Sequence, residues 1–177
     1  MPSALPEVWL RGPIEGFPPE LMPVAQSLLQ VLEEVDRVVR PLTFEELWIR
    51  PGGAASIGFH LKHLAGSLDR LLTYARGERL SDGQRSALDA EEIAGLANDQ
   101  PALLLHAASE AIARALQQVL ATGVETLNQP RRVGRAGLPS TVRGLLFHSA
   151  EHAQRHAGQI VTTAKIVCGS RGPDQTS

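Results

Sequence analysis

Apolar residues recur at every third or fourth position in four separate segments of the chain. This is the repeat of one face of an α-helix, so each segment predicts an amphipathic helix. The segments run from Pro19 to Pro41, from Ser56 to Arg76, from Asn98 or Asp99 to Gly123, and from Ser140 to about Val167. Because the remaining residues show essentially no strand pattern, the chain predicts an all-α fold, a four-helix bundle.

The residues outside these helices divide the chain into three parts. Residues 1–19 contain five prolines and predict an extended arm, which Trp9 attaches to the bundle. Residues 20–169 hold the helices of the bundle, and residues 170–177 form a polar tail. Before the second helix, Thr43 with Glu46 three residues later predicts a short, capped helical turn.

A long polar segment, residues 77–98, separates the second helix from the third. Antiparallel neighbours in a bundle need only a few connecting residues. A segment of this length can instead run back along a helix of about 30 Å, so it predicts a crossover between two parallel helices. Residues 89–96 predict a short helix inside the crossover, and residues 124–138, with proline, glycine and arginine, predict a loop.

The composition limits the classes of function. With 177 residues and a net charge of −2, the chain forms one domain and has no general electrostatic attraction to nucleic acid or to an anionic membrane. It has no apolar run near the length of about eighteen residues that spans a bilayer. Its single cysteine, Cys168, excludes an intrachain disulfide and a cysteine-based zinc site. We therefore expect a soluble, cytoplasmic protein with no nucleic-acid or membrane partner.

Three of the six histidines lie in the last helix at intervals of four residues: His148, His152 and His156. Residues four apart stack on one face of a helix, so two of these imidazoles can bind one divalent metal ion. A helical wheel predicts that His152 and His156 face the interior and that His148 faces solvent. The alternative is a row of neutral histidines that are hydrogen-bonded in the core, and the spacing alone does not exclude it.

The second helix carries two more histidines, His60 and His63. His60 lies closer to the apolar stripe of that helix. His63 shares a mixed face with Arg70 and Tyr74, which suits the wall of a pocket. Periodicity alone does not choose between the two histidines as a further metal ligand. The sixth histidine, His106, lies beside the stripe of the third helix and is predicted to be a surface residue.

A histidine in the second of four helices, followed by H-x3-H-x-G-Q in the last, resembles the DinB/YfiT-like superfamily of metalloenzymes, which is unrelated to the DNA polymerase of similar name. The matching stretches are residues 56–64 and 152–160, and the resemblance extends from about Pro19 to Gly169. It implies an up-down-down-up bundle that binds a divalent metal ion, zinc or nickel, through three histidines. Carried over position by position, these ligands are His63, His152 and His156.

The resemblance also directs the prediction of function. Relatives in the superfamily include transferases that use low-molecular-weight thiols. We therefore expect an S-transferase-like enzyme in which a metal-bound thiolate attacks a small electrophilic substrate, in detoxification or stress. The alternatives are a hydrolase that uses metal-bound water and a non-catalytic, metal-stabilised binding protein of the stress response. No other catalytic residue is assigned, and a homodimer is expected. The residues expected around the pocket are His60, Arg70, Tyr74, His148 and Gln159.

Overall fold

The computed structural model describes residues 5–94 and 99–169. Most of these residues are helical, as the apolar repeat predicts. The described part of the chain forms six α-helices: α1 (Met22–Val39), α2 (Phe44–Trp48), α3 (Ile57–Ala75), α4 (Asp82–Asp89), α5 (Pro101–Leu120) and α6 (Val142–Gly169). Single 3-10 turns occur at Val8–Arg11, Pro51–Gly53 and Val124–Thr126. The all-α prediction is confirmed, and the four long helices are α1, α3, α5 and α6.

Local sequence signals set the start and end of α3, the helix that carries His60 and His63. The Ser56 hydroxyl accepts a hydrogen bond from the Phe59 amide at 3.2 Å, which satisfies one of the free donors of the first turn. At the other end, Gly77 adopts a φ of +83°, a conformation that favours glycine and ends a helix. The predicted cap of α2 is also present, because Thr43 and Glu46 form a reciprocal capping box.

The four long helices surround one apolar core. In this bundle α6 packs against α1 and α3, and α5 packs against the same two helices on the other side. Contacts between histidine side chains fix the relative direction of α3 and α6. His60 pairs with His156 while His63 pairs with His152, so α3 and α6 are antiparallel. The core side chains that are completely covered include Leu28, Leu47, Ile57, Leu61, Leu64, Ile112, Leu127 and Ile160.

α3 and α5 run in the same direction, as the long crossover predicts. Near the start of both helices, Lys62 lies 3.2 Å from the Asp99 carboxylate. Near their ends, the Gln118 amide donates to the Leu72 carbonyl at 2.9 Å. The crossover between them therefore returns along the bundle from the end of α3 to its beginning.

The short helix of the crossover lies earlier than predicted. It is α4, which ends at Asp89, and residues 90–94 form turns and extended chain, while residues 95–98 lie outside the described residues. The prediction of a helix at residues 89–96 is therefore wrong for its described part. The overlooked signal is the capping box of Ser81 and Gln84, which starts a helix at residue 82. The Gln84 amide also donates to Asp69 and Thr73 and so holds α4 on α3.

The predicted loop at residues 124–138 contains a small hairpin. Strands β1 (Pro130–Val133) and β2 (Leu138–Thr141) pair antiparallel, and Gly134 and Gly137 turn the chain between them with φ values of +68° and +61°. Four-residue strands are too short to give a clear alternation of apolar and polar residues, which is why the pattern did not predict them. The Arg131 side chain donates to the Ala75 carbonyl at 2.7 Å and thereby attaches the hairpin to the end of α3.

The arm before α1 is attached through Val8, and the prediction that Trp9 attaches it is wrong. Val8 is 5% exposed and its amide donates to the Gln30 side chain at 2.9 Å, whereas Trp9 is 61% exposed. Arg11 adds an ion pair with Glu33 at 2.6 Å. The predicted polar tail, residues 170–177, lies outside the described residues. None of the described helices is long and apolar enough to cross a membrane.

Candidate metal centre

Three imidazoles converge where α3 and α6 cross. The Nε2 atom of His152 lies 3.0 Å from Nε2 of His63 and 3.2 Å from Nε2 of His156, and the candidate ligand atoms all lie within 4.8 Å of one another. Nitrogens that bind one zinc ion at about 2.0–2.1 Å in a tetrahedral arrangement lie about 3.3–3.4 Å apart. The observed spacing therefore suits three ligands of a single divalent ion.

The helix geometry explains why these three residues meet. His152 and His156 are one turn apart on α6 and face α3. α3 passes them in the opposite direction, which places His63 beside His152 and leaves His60 one turn away, beside His156. His60 contacts His156 through the Nδ1 atoms of both rings, at 3.0 Å. The two histidines of α3 therefore differ in position: Nε2 of His63 lies among the clustered Nε2 atoms, whereas His60 contacts the Nδ1 side of His156.

The hydrogen bond from His63 to Glu91 determines which His63 nitrogen carries the proton. Nδ1 of His63 lies 2.6 Å from a carboxylate oxygen of Glu91. A carboxylate only accepts, so Nδ1 donates, and the neutral ring presents the lone pair of Nε2 to the other imidazoles. When His156 donates from Nδ1 to His60, its Nε2 likewise presents a lone pair to the cluster.

Burial favours the neutral forms of His60, His152 and His156. Burial, and to a smaller extent the neighbouring histidines, lower the pKa of His60 to about 4 and that of His156 to about 3. The pKa of His152 is also below its ordinary value, chiefly because of burial and then because of His63. Metal-binding imidazoles must be unprotonated, so these ring nitrogens are in the correct state to bind a cation at neutral pH.

Two observations test whether a metal ion fits here better than hydrogen bonds alone. If the Nε2 atoms of His63 and His156 both present lone pairs, both are acceptors. The single N–H that Nε2 of His152 can offer would then have to donate to both of them. The Nδ1 atom of His152 is buried and has no hydrogen-bond partner among the residues that the structure describes. One cation satisfies all three Nε2 atoms at once, and three imidazoles form a donor set that zinc and nickel accept.

Glu91 is a site residue that the sequence analysis missed. It follows α4 in the crossover, is only 4% exposed, and also accepts a hydrogen bond from Arg70 at 2.6 Å. Burial alone raises the pKa of Glu91, but the hydrogen bonds from His63 and Arg70 outweigh it, so the pKa lies below its usual value. In the sequence Glu91 lies in a polar segment with acidic neighbours, and no spacing connects it to His63.

Three of the five expected pocket residues lie near the candidate metal centre. His60 touches His156 directly, and Arg70 reaches His63 through Glu91. His148 is exposed, as its position on the wheel predicts, and lies 3.2 Å from the Glu151 carboxylate, with its ring centroid 5.5 Å from that of His152. The side chain of His148 therefore lies at the solvent side of the cluster.

The structure does not bring Tyr74 or Gln159 to the three histidines. Tyr74 follows His63 by eleven residues on α3, which corresponds to about 16 Å along the helix. It lines a cleft of about 1230 Å³ between the end of α3 and the hairpin, together with Arg131 and Arg132. Gln159 is exposed on the surface of α6.

An aromatic side chain, Phe59, also lies against the cluster. Its ring is stacked on that of His63, with 5.5 Å between the centroids and 16° between the planes. Phe59 lines a cavity of about 120 Å³ with Trp48, Arg50 and Glu92. Phe59 therefore contacts both His63 and this cavity, whose lining does not include His63 itself.

Fold and site together define a four-helix-bundle protein with a candidate trihistidine metal centre. Residues 23–160 match the model of the DinB superfamily, so the chain belongs to this family, as the resemblance implies. The family is associated with metal binding, and His63, His152 and His156 are a group that could hold the ion.

Solved structures of other proteins show the same fold. A conserved protein from Enterococcus faecalis superposes with a TM-score of 0.65 and 18% identity, over 83% of this chain and 96% of its own. A DinB-like protein from Bacillus cereus gives a TM-score of 0.61 and 15% identity, over 82% of this chain and 91% of its own. At these identities the likeness shows the fold alone. No curated protein sequence matches the chain.

Proposed function

We propose that the protein is a divalent-metal-dependent enzyme of small-molecule thiol chemistry, of the S-transferase type. In this proposal His63, His152 and His156 hold zinc or nickel, and the thiol comes from the reducing cytoplasm. The observation that carries the proposal is the convergence of the Nε2 atoms of three imidazoles on one point. The family's association with metal binding supports it.

The three side chains would hold the ion without neutralising it. Imidazoles carry no negative charge, and three of them leave at least one coordination position open, as catalytic sites require. Bound there, a divalent ion supplies a positive charge that lowers the pKa of a thiol or of a water molecule. The protein's own part is to favour neutral His152 and His156 by burial and to fix the orientation of His156 and His63 through His60 and Glu91.

The reacting thiol has to come from another molecule. Cys168, the single cysteine of the chain, follows His156 by twelve residues on α6, about 18 Å along the helix. It is half-buried against the core, away from the three histidines. A low-molecular-weight thiol is therefore the nucleophile that the proposal requires.

The cavity that Phe59 lines suits a small electrophilic substrate. A cavity of about 150 Å³ holds benzene, so the cavity of about 120 Å³ between Trp48 and Phe59 admits a group of only a few heavy atoms. Its walls are partly apolar, and Arg50 and Glu92 contribute one charge of each sign. These properties favour a compact, uncharged electrophile.

The experiment that tests the proposal is a screen of the metal-loaded protein with several low-molecular-weight thiols and a generic electrophile. We expect at least one thiol to give S-conjugation above the rate of the metal-free protein. Hydrolysis of activated esters without any thiol dependence would favour the hydrolase instead. Metal binding with neither activity would favour a metal-stabilised binding protein.

A further inference from the structure

The two oxygens of the Glu91 carboxylate are both in use. One accepts from Nδ1 of His63 and the other from the guanidinium of Arg70, each at 2.6 Å. Arg70 is 8% exposed, so both charges of the ion pair are removed from solvent. A buried carboxylate is costly unless it is paired and hydrogen-bonded, and here every strong contact leads to α3.

A glycine makes room for this carboxylate. Gly66 lies on α3 between His63 and Arg70, where a Cβ atom would overlap the Glu91 carboxylate and lie 2.6 Å from Nη1 of Arg70. Glycine in a helix interior costs roughly 1 kcal/mol relative to alanine. The position of Glu91 explains why α3 carries a glycine at this point.

The crossover next to Glu91 is fixed to the same helix. Lys62 donates to the Ile93 carbonyl at 2.7 Å and lies 3.2 Å from the buried carboxylate of Asp99. These contacts hold the chain shortly after Glu91 against the first turns of α3. Glu91 therefore approaches His63 from a backbone that is itself attached to α3.

Glu91 acts on the cluster only through His63. It binds the Nδ1 side of the ring, whereas Nε2 on the far side faces His152. A carboxylate that accepts from one nitrogen of a metal-binding histidine fixes the ring and the position of its proton, and loss of such a partner typically weakens metal binding by roughly 10- to 100-fold.

From these contacts we infer that Glu91, placed by the crossover in the space left by Gly66 and held by Arg70, is a positioning residue for the metal centre. It keeps the proton of His63 on Nδ1 and thereby directs the lone pair of Nε2 toward the ion. This inference rests on the proposed metal centre and adds a residue of the crossover that positions one of its ligands.

Glu91→Gln is the direct test. Arg70 has only donors to offer, so it retains the carboxamide oxygen and turns the NH2 group toward His63. Nδ1 of His63 must then accept, and its proton moves to Nε2, where it opposes metal binding. We expect the dissociation constant for Zn2+, measured by competition with a chelator, to rise by roughly 10- to 100-fold.

Gly66→Ala tests the same contact without changing a ligand or a charge. The added methyl group displaces the carboxylate from His63, so weaker Zn2+ binding is expected here too. Gly158→Ala is the matched control, because Gly158 is also inside a helix, two residues after His156, and a Cβ there meets nothing within 4 Å. Its Zn2+ affinity should equal that of the wild type. Unfolding curves of the metal-free variants establish that each is folded.

The nitrogen-15 resonances of His63 in the metal-free protein provide a second measurement. We expect the proton on Nδ1 in the wild type and on Nε2 in Glu91→Gln. If the wild type binds Zn2+ and both variants bind it equally well, the positioning role is overturned while the metal centre stands. If the wild type binds no metal, the proposed function fails. Separately, a proton on Nε2 of His63 in the metal-free wild type would overturn the inference that Glu91 keeps this proton on Nδ1.

Discussion

Nε2 of His63 and Nε2 of His152 lie 3.0 Å apart although 89 residues separate them in the chain. The contact joins α3 to α6 and requires the two helices to be antiparallel. It also requires the crossover, because α3 and α5 are parallel and the chain has to return along α3 before α5 begins. The candidate site is therefore a consequence of the topology of the bundle.

Acid should destabilise the metal-free protein. Burial lowers the pKa values of His60 and His156 to about 4 and about 3, whereas the unfolded chain protonates these groups near their ordinary value of 6.5. Below that value the unfolded state binds more protons, so stability falls as the pH falls toward the folded pKa values. From about pH 7 to about pH 5 we expect a loss of roughly 1–2 kcal/mol for each group, measured by urea unfolding.

A matched pair of variants isolates this effect. His60→Gln removes one buried group and should flatten the dependence of stability on pH. His106→Gln removes an exposed histidine and should leave it unchanged. Equal slopes for the two variants would contradict the assignment of the acid sensitivity to the histidine cluster.

The start of α3 should not accept a larger residue at Gly58. A Cβ there would lie 2.7 Å from two ring atoms of Trp48, and a rigid indole has no flexible end that can move aside. We expect Gly58→Ala to lower the free energy of unfolding by about 1–3 kcal/mol, the usual cost of overpacking. Urea denaturation measures it, with Gly158→Ala as the control. An unchanged midpoint would show that Trp48 does not pack against α3 as described.

The smaller residue Val8 should contribute more to the stability of the protein than the larger residue Trp9. Val8→Ala removes two buried methyl groups and should cost about 1–2 kcal/mol of stability. Trp9→Ala removes a larger but exposed side chain and should change stability by less than about 0.5 kcal/mol. Thermal unfolding of both variants gives the comparison, and a larger loss for Trp9→Ala would restore the indole as the anchor of the arm.

The features that the sequence predicts well are those with a helical repeat. The apolar stripes place α1, α3, α5 and α6 within a few residues of their observed ends, because each stripe is long. Ser56 and Gly77 mark the two ends of α3 in addition. The same repeat orients His152, His156 and His148 correctly. The prediction of His63 as a ligand depended on the family resemblance. Its face of α3 is mixed, so periodicity does not choose between His63 and His60.

The features that the sequence does not predict depend on contacts between distant segments. Glu91 is buried only because the crossover lays it against Arg70 and His63, and a polar segment gives no sign of that burial. The hairpin at residues 130–141 has strands too short to show a repeat. Val8 attaches the arm in place of Trp9 because a small side chain fits against α1. That fit depends on the shape of the packed surface, which the residue type alone does not reveal.

The most direct test of the central claim is the metal content per chain, measured by elemental analysis of protein purified without an affinity tag. We expect close to one equivalent of zinc or nickel in the wild type and in His148→Ala, whose side chain is exposed, and almost none in His63→Ala. Equal metal in His63→Ala and His148→Ala would contradict the account. So would a wild-type protein that takes up no metal even after incubation with zinc and nickel salts.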